Sequence, residues 1–377
     1  MSLATLAMPV LTVNVGSSSL KLSIFGKGED LVGGVDLPAP GGRIDDDPIE
    51  RALGDHEPVQ AVGHRIVHGG REFSEPVLVD GGVRQRLEAL VDLAPLHLPK
   101  SLAGLDALTR LLPEVPQVAC FDTAFHSDMP AEASTYALPL EWRQRWALRR
   151  YGFHGLSHCY ASTRAAELCG TDPQSLRIVS CHLGSGASLA AVDGGRSVDT
   201  TMGFTPLEGL VMATRSGSVD PGLVLWLEQH VGIPASELAS ALEHRSGMMG
   251  LAGKGDFEAV LEAAGRDDRR ACLAIEVYLH RLRAEIAAMA ASMGGIDALV
   301  FTGGVGENAA SIRVGAAQRL GFLGIRIDER VNESVRPDAE ITAAGGDARV
   351  FVVESREDLQ ILRGVRSVLT GQVPRSS

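Results

Sequence analysis

The stretch 11-LTVNVGSSSLKLSIF-25 contains two β-prone runs on either side of a Gly-Ser-Ser-Ser bend. This pattern predicts a β-hairpin. A second stretch, 181-CHLGSGASLAAV-192, repeats the arrangement of strand, Gly-Ser bend and strand, and Gly184 stands 168 residues after Gly16. That distance is close to half of the 377-residue chain. The repetition predicts a duplicated domain in which each copy has one small-residue hairpin, and a chance similarity between two turns is the alternative.

The composition is that of a globular protein with two domains. Hydrophobic residues make up 45% of the chain, and no segment approaches the roughly 18 uncharged apolar residues that a membrane span needs. The N-terminal MSLATLAMPV has no basic leader, so we expect no secretory signal there. A formal charge of −12 disfavours nucleic acid and anionic membranes as partners, because both attract basic surfaces.

The cysteines favour a reducing compartment. There are five of them, they form no CxxC pair, and they have apolar neighbours in the sequence: Cys120, Cys159, Cys169, Cys181 and Cys272. An odd number of scattered cysteines is typical of buried free thiols, so we expect a cytoplasmic protein.

Hydrophobic periodicity predicts an α/β protein. Short strands are predicted near residues 11–16, 20–25, 61–68, 116–121, 176–182, 187–193, 296–302 and 349–353. Helices are predicted near 101–112, 157–169, 219–230, 268–293, 308–319 and 356–369. The glycine-rich, acidic segment 26–57 has the weakest pattern and is expected to be a surface excursion.

Both hairpin bends could bind phosphate. Small residues let the backbone approach a ligand closely, and successive N–H groups at such bends attract anions. The candidates are Gly16, Ser17, Ser18 and Ser19 in the first bend and Gly184, Ser185 and Gly186 in the second. Neither bend is a P-loop, and two ordinary hairpin turns are the alternative.

The strand-like stretch 63-GHRIVHGG-70 places a cation beside a small apolar side chain. Side chains alternate along a strand, so Arg65 and Val67 share one face and His64, Ile66 and His68 the other. This pair suits a small carboxylate with a short alkyl tail. An edge strand whose arginine meets a surface acid is the alternative.

Three loop-like stretches, 94-APLHLPKS-101, 121-FDTAFHSDMP-130 and 151-YGFHGLSH-158, concentrate polar chemistry between predicted elements. They contain His97, Asp122, His126, His154 and His158. His154 and His158 have the i, i+4 spacing of a metal pair, but HExxH is missing and no third ligand has a suggestive spacing, so phosphate chemistry is favoured over zinc.

Arg215 lies in a Ser/Gly loop, where a guanidinium can reach a ligand. Asp220 and Pro221 follow it as the cap and first residue of a predicted helix. Two arginines in glycine-rich loops, Arg65 and Arg215, form a plausible clamp for a phosphoryl group in transfer.

The stretch 296-IDALVFTGGVGENAASIRVGAAQRLGFLGIRID-328 has the spacing of a dinucleotide fingerprint. Gly304 and Gly306 follow a predicted strand, Ala309 takes the place of the third glycine, and Asp328 stands 22 residues beyond Gly306 at a predicted strand end. A nicotinamide-dependent dehydrogenase is therefore one alternative. The glycines could equally let an adenosine lie against the backbone.

The last motif is 353-VESREDLQIL-362. Ser355 and Asp358 have the spacing of a capping box, which leaves Glu357 free in the first helical turn. A free carboxylate beside a nucleotide can hold magnesium through water. A solvated first-turn acid is the alternative.

Nine motifs occur in one order along residues 10 to 369 and together resemble the acetate kinase family: NVGSSSLK, GHRIVHGG, LAPLH, FDTAFH, YGFHGLSH, HLGSGAS, MGFTPLEG, TRSGSVDPG and FTGGVGEN. The resemblance implies two duplicated actin-like, ribonuclease H-like ATPase domains with a central nucleotide cleft. It places the first domain at 10–124 plus 358–372 and the second at 128–356. It also implies a homodimer that reversibly transfers the γ-phosphoryl group of ATP to acetate, with Mg²⁺ or with Mn²⁺ in its place, giving acetyl phosphate and ADP.

The resemblance also implies roles for individual residues. Catalytic roles fall on Arg65, Asp122, His154, Arg215 and, with a lesser part, His97. Of these, Asp122 would orient the metal or hold an arginine. The acetate site has Arg65 for the carboxylate and, around the methyl group, Val67, Leu96, Phe153 and Pro206. Magnesium and its waters are organised by Asn14 and Glu357. Nucleotide contacts fall on Ser17, Ser19, Lys21, His182, Gly184, Ser185, Gly186, Asp256, Phe257, Gly304, Val305, Gly306 and Asn308.

This sequence departs from the family pattern at three positions. Ser185 stands where the family usually has Asn, Glu258 where an Arg often stands, and Arg356 replaces an Asn before Glu357. A propionate-preferring kinase is the nearest alternative function. A non-catalytic nucleotide switch of the actin or chaperone kind is a third class beside the dehydrogenase.

Overall fold

The structure is a computed structural model that describes residues 8–16, 19–39, 44–54, 56–95 and 97–371. Its strands form two six-stranded sheets. Sheet 1 contains β1 (Val10–Val15), β2 (Ser19–Phe25), β3 (Leu31–Pro38), β4 (Ala61–Ile66), β5 (Val77–Leu78) and β6 (Gln117–Phe121). Sheet 2 contains β7 (Arg177–Leu183), β8 (Ala187–Asp193), β9 (Arg196–Thr200), β10 (Ala298–Thr302), β11 (Ala339–Glu340) and β12 (Arg349–Val352).

Helices connect and cover these strands. The first eight are α1 (Asp46–Gly54), α2 (Gly81–Glu88), α3 (Leu98–Leu111), α4 (Ala131–Ser134), α5 (Leu140–Trp146), α6 (Gly155–Cys169), α7 (Pro221–Trp226) and α8 (Ala235–His244). The rest are α9 (Gly247–Ala252), α10 (Phe257–Ala264), α11 (Arg269–Ser292), α12 (Gly303–Asn308), α13 (Ala310–Ala317), α14 (Glu329–Ser334) and α15 (Glu357–Thr370). A π-helical turn, Leu227–Val231, continues α7.

The two sheets have the same topology. The spatial order is β3-β2-β1-β4-β6-β5 in sheet 1 and β9-β8-β7-β10-β12-β11 in sheet 2. In each sheet an antiparallel meander leads into three parallel strands, and a short antiparallel strand closes the far edge. The hairpins β1–β2 and β7–β8, which carry the two small-residue bends, occupy equivalent places. The predicted α/β fold with a duplicated domain is therefore confirmed.

The chain divides into two compact units. Unit 1 comprises Met1–Ser127, Phe153–Tyr160 and Arg356–Ser377 and contains sheet 1. Unit 2 comprises Asp128–Gly152 and Ala161–Ser355 and contains sheet 2.

The apolar character of the central strands follows from their burial. Every residue of β6 and β10 is buried, as expected for parallel strands covered on both faces. In unit 2 the long helix α11 packs on sheet 2 through a stripe with helical spacing: Ala271, Ala274, Tyr278, Leu282, Ile286, Met289 and Ala290. Asp268 begins this helix by accepting hydrogen bonds from the Arg270 and Ala271 N–H groups.

Glycine lets α15 approach sheet 1 closely. A Cβ at Gly63, in β4, would lie 2.5 Å from methyl carbons of both Ile361 and Val365 in α15. On the helix side, a Cβ at Gly364 would lie 2.9 Å from Cys120 Sγ in β6. Since both positions lack a side chain, the axis of α15 can lie close to the strands of sheet 1.

The described residues of segment 26–57 contain more regular secondary structure than the composition predicts. It contributes strand β3, which pairs antiparallel with β2, and helix α1, which buries Ile49. Residues of β3 are exposed or half-buried throughout, so sequence shows only a weak apolar alternation there. The predicted helix at 308–319 also differs, because Ala309 adopts a non-helical conformation and separates α12 from α13.

Within the described part of the chain, no helix combines the length and the apolar character that crossing a membrane requires.

Candidate active site

Three parallel strands of unit 1 bring polar side chains to one edge of sheet 1. Asn14 is the penultimate residue of β1, Arg65 is the penultimate residue of β4, and Asp122 directly follows β6. Because β1, β4 and β6 are parallel neighbours, their carboxyl ends lie together. Sequence predicted a functional role for all three residues, and the strand order explains why they meet.

The Arg65 guanidinium connects these side chains. Its Nε donates to Asp122 Oδ1 and Oδ2 at 3.0 and 3.1 Å, and one terminal nitrogen donates to Oδ2 at 2.6 Å. The other terminal nitrogen donates to Asn14 Oδ1 at 3.1 Å. The side chains of Arg65 and Asp122 are 17% and 1% exposed, so this is a largely buried ion pair with fork geometry.

Glu357 joins the cluster from the first turn of α15. Its Oε2 accepts a hydrogen bond from Asn14 Nδ2 at 2.9 Å and lies 3.6 Å from Arg65 Nε. The carboxylate sits where the helix dipole favours negative charge. The predicted capping box at Ser355 is wrong: the helix begins at Glu357, and the Asp358 carboxylate accepts hydrogen bonds from the Arg356 guanidinium instead.

Electrostatics keep Arg65 cationic. Burial alone would lower the pKa of Arg65, but the Asp122 and Glu357 carboxylates outweigh burial and raise it above its ordinary value. Burial raises the pKa of the Asp122 carboxyl, and the Arg65 guanidinium opposes that rise. Two carboxylates beside one guanidinium leave one formal negative charge on the cluster, which suits a cation.

The 153–155 turn lies against Asp122. Gly155 N–H donates to the Asp122 carbonyl at 2.8 Å, at a closeness that leaves no room for a Cβ. His154, next to it, has a φ of 56°, a left-handed conformation that costs about 1–2 kcal/mol for a residue with a Cβ. Strained backbone of this kind is concentrated at functional sites. Phe153 is buried, and its carbonyl lies 3.1 Å from His126 Nε2.

Val67 and His97 are further predicted residues of unit 1 that the structure describes. Val67, predicted to line the acid pocket, is buried directly after β4. His97 immediately precedes α3, and its carbonyl accepts hydrogen bonds from the Lys100 and Ser101 N–H groups. The predicted residues Ser17, Ser18 and Leu96 lie outside the described residues.

In the first hairpin, the cationic side chain of Lys21 lies on the same face of sheet 1 as Asn14. Gly16 N–H donates to the Ser19 carbonyl at 2.8 Å and closes the turn. Lys21 is exposed and stands directly opposite Asn14 in the β1–β2 register, so the two side chains share one face of sheet 1.

Two predicted nucleotide segments meet at one edge of sheet 2. Strands β7 and β10 are parallel neighbours, with His182 opposite Thr302, so the Gly184–Gly186 bend and helix α12 both leave from the same edge. A Cβ at Gly303 would lie 2.8 Å from the Leu183 carbonyl oxygen. Sequence had predicted contacts to nucleotide on this edge from His182, Gly184, Ser185, Gly186, Gly304, Val305, Gly306 and Asn308.

The local geometry of α12 leaves backbone accessible to a ligand. Gly304 is exposed, and a Cβ built there would meet nothing within 4 Å. Asn308 donates to the Gly304 carbonyl at 2.9 Å. Gly184 N–H donates to the Gly186 carbonyl at 3.0 Å in the opposite bend, and Ser185 is exposed at its tip.

Arg215 and Pro206 are brought together in unit 2. Arg215 donates from one terminal nitrogen to the Pro206 carbonyl at 2.6 Å. Burial lowers the pKa of Arg215, and Glu243 opposes that fall. Asp220 caps α7 with Pro221 in the first turn, as predicted.

Asp256 and Asp328 are both used as helix caps. The Asp256 carboxylate accepts from the Ala259 N–H at the start of α10, and Phe257 follows it half-buried. The Asp328 carboxylate accepts from the Arg330 and Val331 N–H groups at the start of α14. The prediction that Asp328 ends a strand is wrong, and its carboxylate is engaged, so the dehydrogenase alternative gains no support from it.

Sequence reasoning missed two residues that hold α12. Glu307 Oε1 accepts from the Gly303 and Ser355 N–H groups at 2.9 and 3.0 Å. Arg313 is 2% exposed and donates to the Gly306 and Glu307 carbonyls at 2.9 and 2.8 Å. Glu307 lies within a quoted motif and could have been considered, but nothing in the sequence distinguishes a buried Arg313 from a surface arginine.

Among the residues that the structure describes, no three His, Cys, Asp or Glu side chains are grouped so that they could hold a metal ion. His158 N–H donates to the His154 carbonyl as part of α6.

Known proteins match this chain along most of its length. The model of the Acetokinase family matches residues 47–363. An acetate kinase of Gloeobacter violaceus is 49% identical over 315 residues, which cover 83% of this chain and 78% of that protein. An acetate kinase of Pseudothermotoga lettingae is 39% identical over 395 residues, 96% of this chain and 98% of that one.

Solved structures also match this chain. The crystal structure of Porphyromonas gingivalis acetate kinase matches with a TM-score of 0.87 at 36% identity, covering 96% of this chain and 100% of that chain. A propionate kinase from Francisella tularensis matches with a TM-score of 0.89 at 34% identity and the same coverage. With its two topologically equivalent sheets and a family match over most of its length, the chain belongs to the acetokinase family.

Proposed function

We propose that the protein is an acetate kinase, which reversibly transfers the γ-phosphoryl group of ATP to acetate. A carboxylate oxygen of acetate attacks the γ-phosphorus, the bond from that phosphorus to the β–γ bridging oxygen breaks, and ADP leaves as acetyl phosphate forms. No proton changes hands, because a carboxylate is already a competent nucleophile. Catalysis then reduces to positioning and to charge stabilisation.

The observation that carries this proposal is the buried pair of Arg65 and Asp122. Asp122 fixes the guanidinium of Arg65 from one side through two carboxylate oxygens. A cation fixed in this way suits an acetate carboxylate and the charge spread over a transferring phosphoryl group. We infer that Arg215 and His154 share this stabilising role, with His97 in a lesser part.

We infer that the methyl group of acetate contacts Val67, Leu96, Phe153 and Pro206. Of these, Val67 and Phe153 in unit 1 and Pro206 in unit 2 are each buried, as suits apolar side chains. Ser17, Ser19 and Lys21 serve the phosphates, and adenosine rests on Gly304 to Gly306 with Asp256 and Phe257 alongside. The open space at Gly304 supports that placement.

The residues at the Asn14–Glu357 contact fit magnesium. An amide oxygen and a carboxylate are the hard ligands that Mg²⁺ prefers, and Mg²⁺ usually takes only one or two carboxylates beside water and phosphate. The excess negative charge of the cluster favours a cation there. When bound, Mg²⁺, or Mn²⁺ in its place, supplies positive charge that neutralises the nucleotide phosphates.

A propionate preference is the second candidate function, because the propionate kinase from Francisella tularensis matches this chain as well as the acetate kinase does. One methylene in an apolar pocket is worth only about 1–3 kcal/mol, so activities on the two acids should overlap. Initial rates with acetate, propionate and butyrate, measured as acyl hydroxamates, give kcat/KM for each. We expect acetate to have the highest value, and a higher value for propionate would overturn the acetate assignment.

The same assay tests the reaction class. Hydroxamate formation that requires both ATP and acetate supports a kinase. Its absence, together with tight NAD binding in a parallel titration, would support a dehydrogenase instead, and ATP binding without turnover a nucleotide switch.

We further propose a cytoplasmic homodimer. The five cysteines all lie among the described residues, and none of them forms a disulfide bond, as a reducing compartment favours. The segment from α7 into the π-helical turn exposes about half of each of several large apolar side chains, namely Leu223, Leu225, Trp226 and Val231. Exposed apolar surface of this kind marks an interaction site. Sedimentation of the parent and of Trp226→Glu tests this: we expect a dimer and a monomer, respectively, and a monomeric parent would refute the homodimer.

A further inference from the structure

A tyrosine hydroxyl holds both ends of the loop that contains Pro206. Tyr136 Oη donates to Glu208 Oε2 at 2.5 Å and accepts from Phe204 N–H at 2.9 Å. The loop from Phe204 to Glu208 is thus closed on a single oxygen atom. Pro206, whose carbonyl accepts from Arg215, is its middle residue.

Arg150 completes the support. One terminal nitrogen donates to Glu208 Oε1 at 2.8 Å, and the other donates to the Thr201 and Met202 carbonyls at 3.0 and 3.1 Å. The Arg150 and Glu208 side chains are only 18% and 35% exposed. Charge-assisted hydrogen bonds in such surroundings are strong and directional.

Close packing leaves the loop little freedom. A Cβ at Gly203 would collide with both the Glu208 carboxylate and the Tyr136 hydroxyl. The Gly203 carbonyl in turn accepts from the Tyr151 and Gly152 N–H groups at 3.1 and 3.3 Å. Burial, reinforced by the Glu208 carboxylate, raises the pKa of Tyr136, so the phenol remains a hydrogen-bond donor at neutral pH.

We propose that Tyr136, Glu208 and Arg150 are positioning residues that set the places of Pro206 and of the Arg215 guanidinium, and thereby the enzyme's use of its carboxylic acid substrate. None of the three needs to touch substrate. The link runs from the Tyr136 hydroxyl through the loop to the Pro206 carbonyl, and from there to Arg215. This inference rests on the proposed function, because it assigns the loop to the acid substrate of that reaction.

The first test is Tyr136→Phe, which keeps the ring and removes the bridging oxygen. Leaving the Phe204 N–H and the Glu208 carboxylate without this partner should lower kcat/KM for acetate by about tenfold while KM for ATP stays within about twofold of the parent value. The matched control is Tyr278→Phe in the same unit. It retains the Tyr278 ring and removes a buried hydroxyl that has no hydrogen-bond partner among the described residues, so we expect parent kinetics.

Conservative replacement and coupling distinguish positioning from general stability. Glu208→Gln keeps an acceptor for Tyr136 and should retain more activity on acetate than Glu208→Ala. In an Arg215→Ala background, Tyr136→Phe should lower kcat/KM for acetate by a smaller factor than in the parent, because one of the two groups that it positions is already gone. Equal losses in both backgrounds would mean that Tyr136 does not act through Arg215.

Amide hydrogen exchange supplies a readout that does not depend on turnover. Peptides covering 203–216 should exchange faster in Tyr136→Phe than in the parent, with the rest of unit 2 unchanged. If the parent forms no acetyl phosphate, the proposed function fails, and the exchange result still decides whether Tyr136 holds the loop. Unchanged exchange and acetate kinetics within twofold of the parent in both Tyr136→Phe and Glu208→Ala would overturn the inference.

Discussion

Replacing Asp122 by alanine isolates the energetic role of burial at the cluster. The change removes all three contacts to the Arg65 guanidinium, which is only 17% exposed, and leaves that cation with Asn14 and with Glu357 at 3.6 Å. Breaking one side of a buried ion pair costs about 3–5 kcal/mol, because the other charge stays buried. Since Glu357 remains nearby, we expect the lower end, about 3 kcal/mol of unfolding free energy.

The chain offers a matched control in the same unit. Asp106 accepts from Arg84 with the same forked geometry, at 2.7 and 2.9 Å, but the Asp106 and Arg84 side chains are 45% and 29% exposed, and Arg84 also donates to Glu88 at 2.6 Å. An exposed pair of this kind contributes only about 0.2–1 kcal/mol, so Asp106→Ala should be nearly silent. The two variants differ in burial and hardly in geometry.

Hydrogen exchange of the β4 and β6 amides measures the effect within unit 1 without assuming that the whole chain unfolds at once. We expect protection to fall about a hundredfold in Asp122→Ala and less than about tenfold in Asp106→Ala, at about 1.4 kcal/mol for each factor of ten. Equal losses in the two variants would refute the argument from burial.

Three further predictions follow from the same geometry. Gly63→Ala should destabilise unit 1 by about 1–3 kcal/mol and slow turnover, because its methyl group collides with Ile361 and Val365 and displaces Glu357. The control is Gly81→Ala, where a Cβ meets nothing within 4 Å, and it should leave both the unfolding free energy and the rate unchanged. Burial lowers the pKa of His64 to about 4, so between pH 6.5 and pH 4 the unfolded chain binds a proton that the folded chain does not. The stability due to this group is complete above pH 6.5 and is lost towards pH 4, and His64→Gln should reduce the fall in unfolding free energy over this range by up to about 3 kcal/mol. Glu357→Gln should raise the Mg²⁺ concentration for half-maximal activity by about tenfold or more, with exposed Glu354→Gln as the control, and an unchanged requirement would exclude Glu357 from the metal site.

The local sequence pattern was sufficient to predict the elements whose residue types strongly favour strands and tight bends. The hairpins at Gly16 and Gly184 and the buried strands β6 and β10 were predicted because their residues favour strands and their bends contain small residues. Strand β3 was missed because it lies at the edge of sheet 1 and buries little apolar surface. The start of the helix predicted at 308–319 was misplaced, because Ala309 leaves the helical conformation although the sequence has no helix-breaking residue there.

The candidate site, like the fold, could be predicted only in part from the sequence. Arg65 and Asp122 were found because they lie in distinctive motifs, and parallel strand order then explains their contact. The family resemblance implied that Asp122 orients the metal or holds an arginine, but the residues themselves did not identify Arg65 as that arginine, since 57 residues separate the two. The support of Pro206 by Tyr136 and Arg150 could not be predicted from the sequence either. It depends on contacts across 58 to 72 residues, between segments without any periodic pattern.

The turnover of Arg65→Ala tests the central claim most directly. Acetyl phosphate formation from ATP and acetate is measured as hydroxamate for the parent, for Arg65→Ala and for the surface control Arg84→Ala, each shown to be folded by circular dichroism. If the Arg65 guanidinium stabilises the transferring phosphoryl group, its loss should lower kcat by about 10² to 10³ while the control keeps the parent rate. A folded Arg65→Ala enzyme that turns over within threefold of the parent would contradict the account.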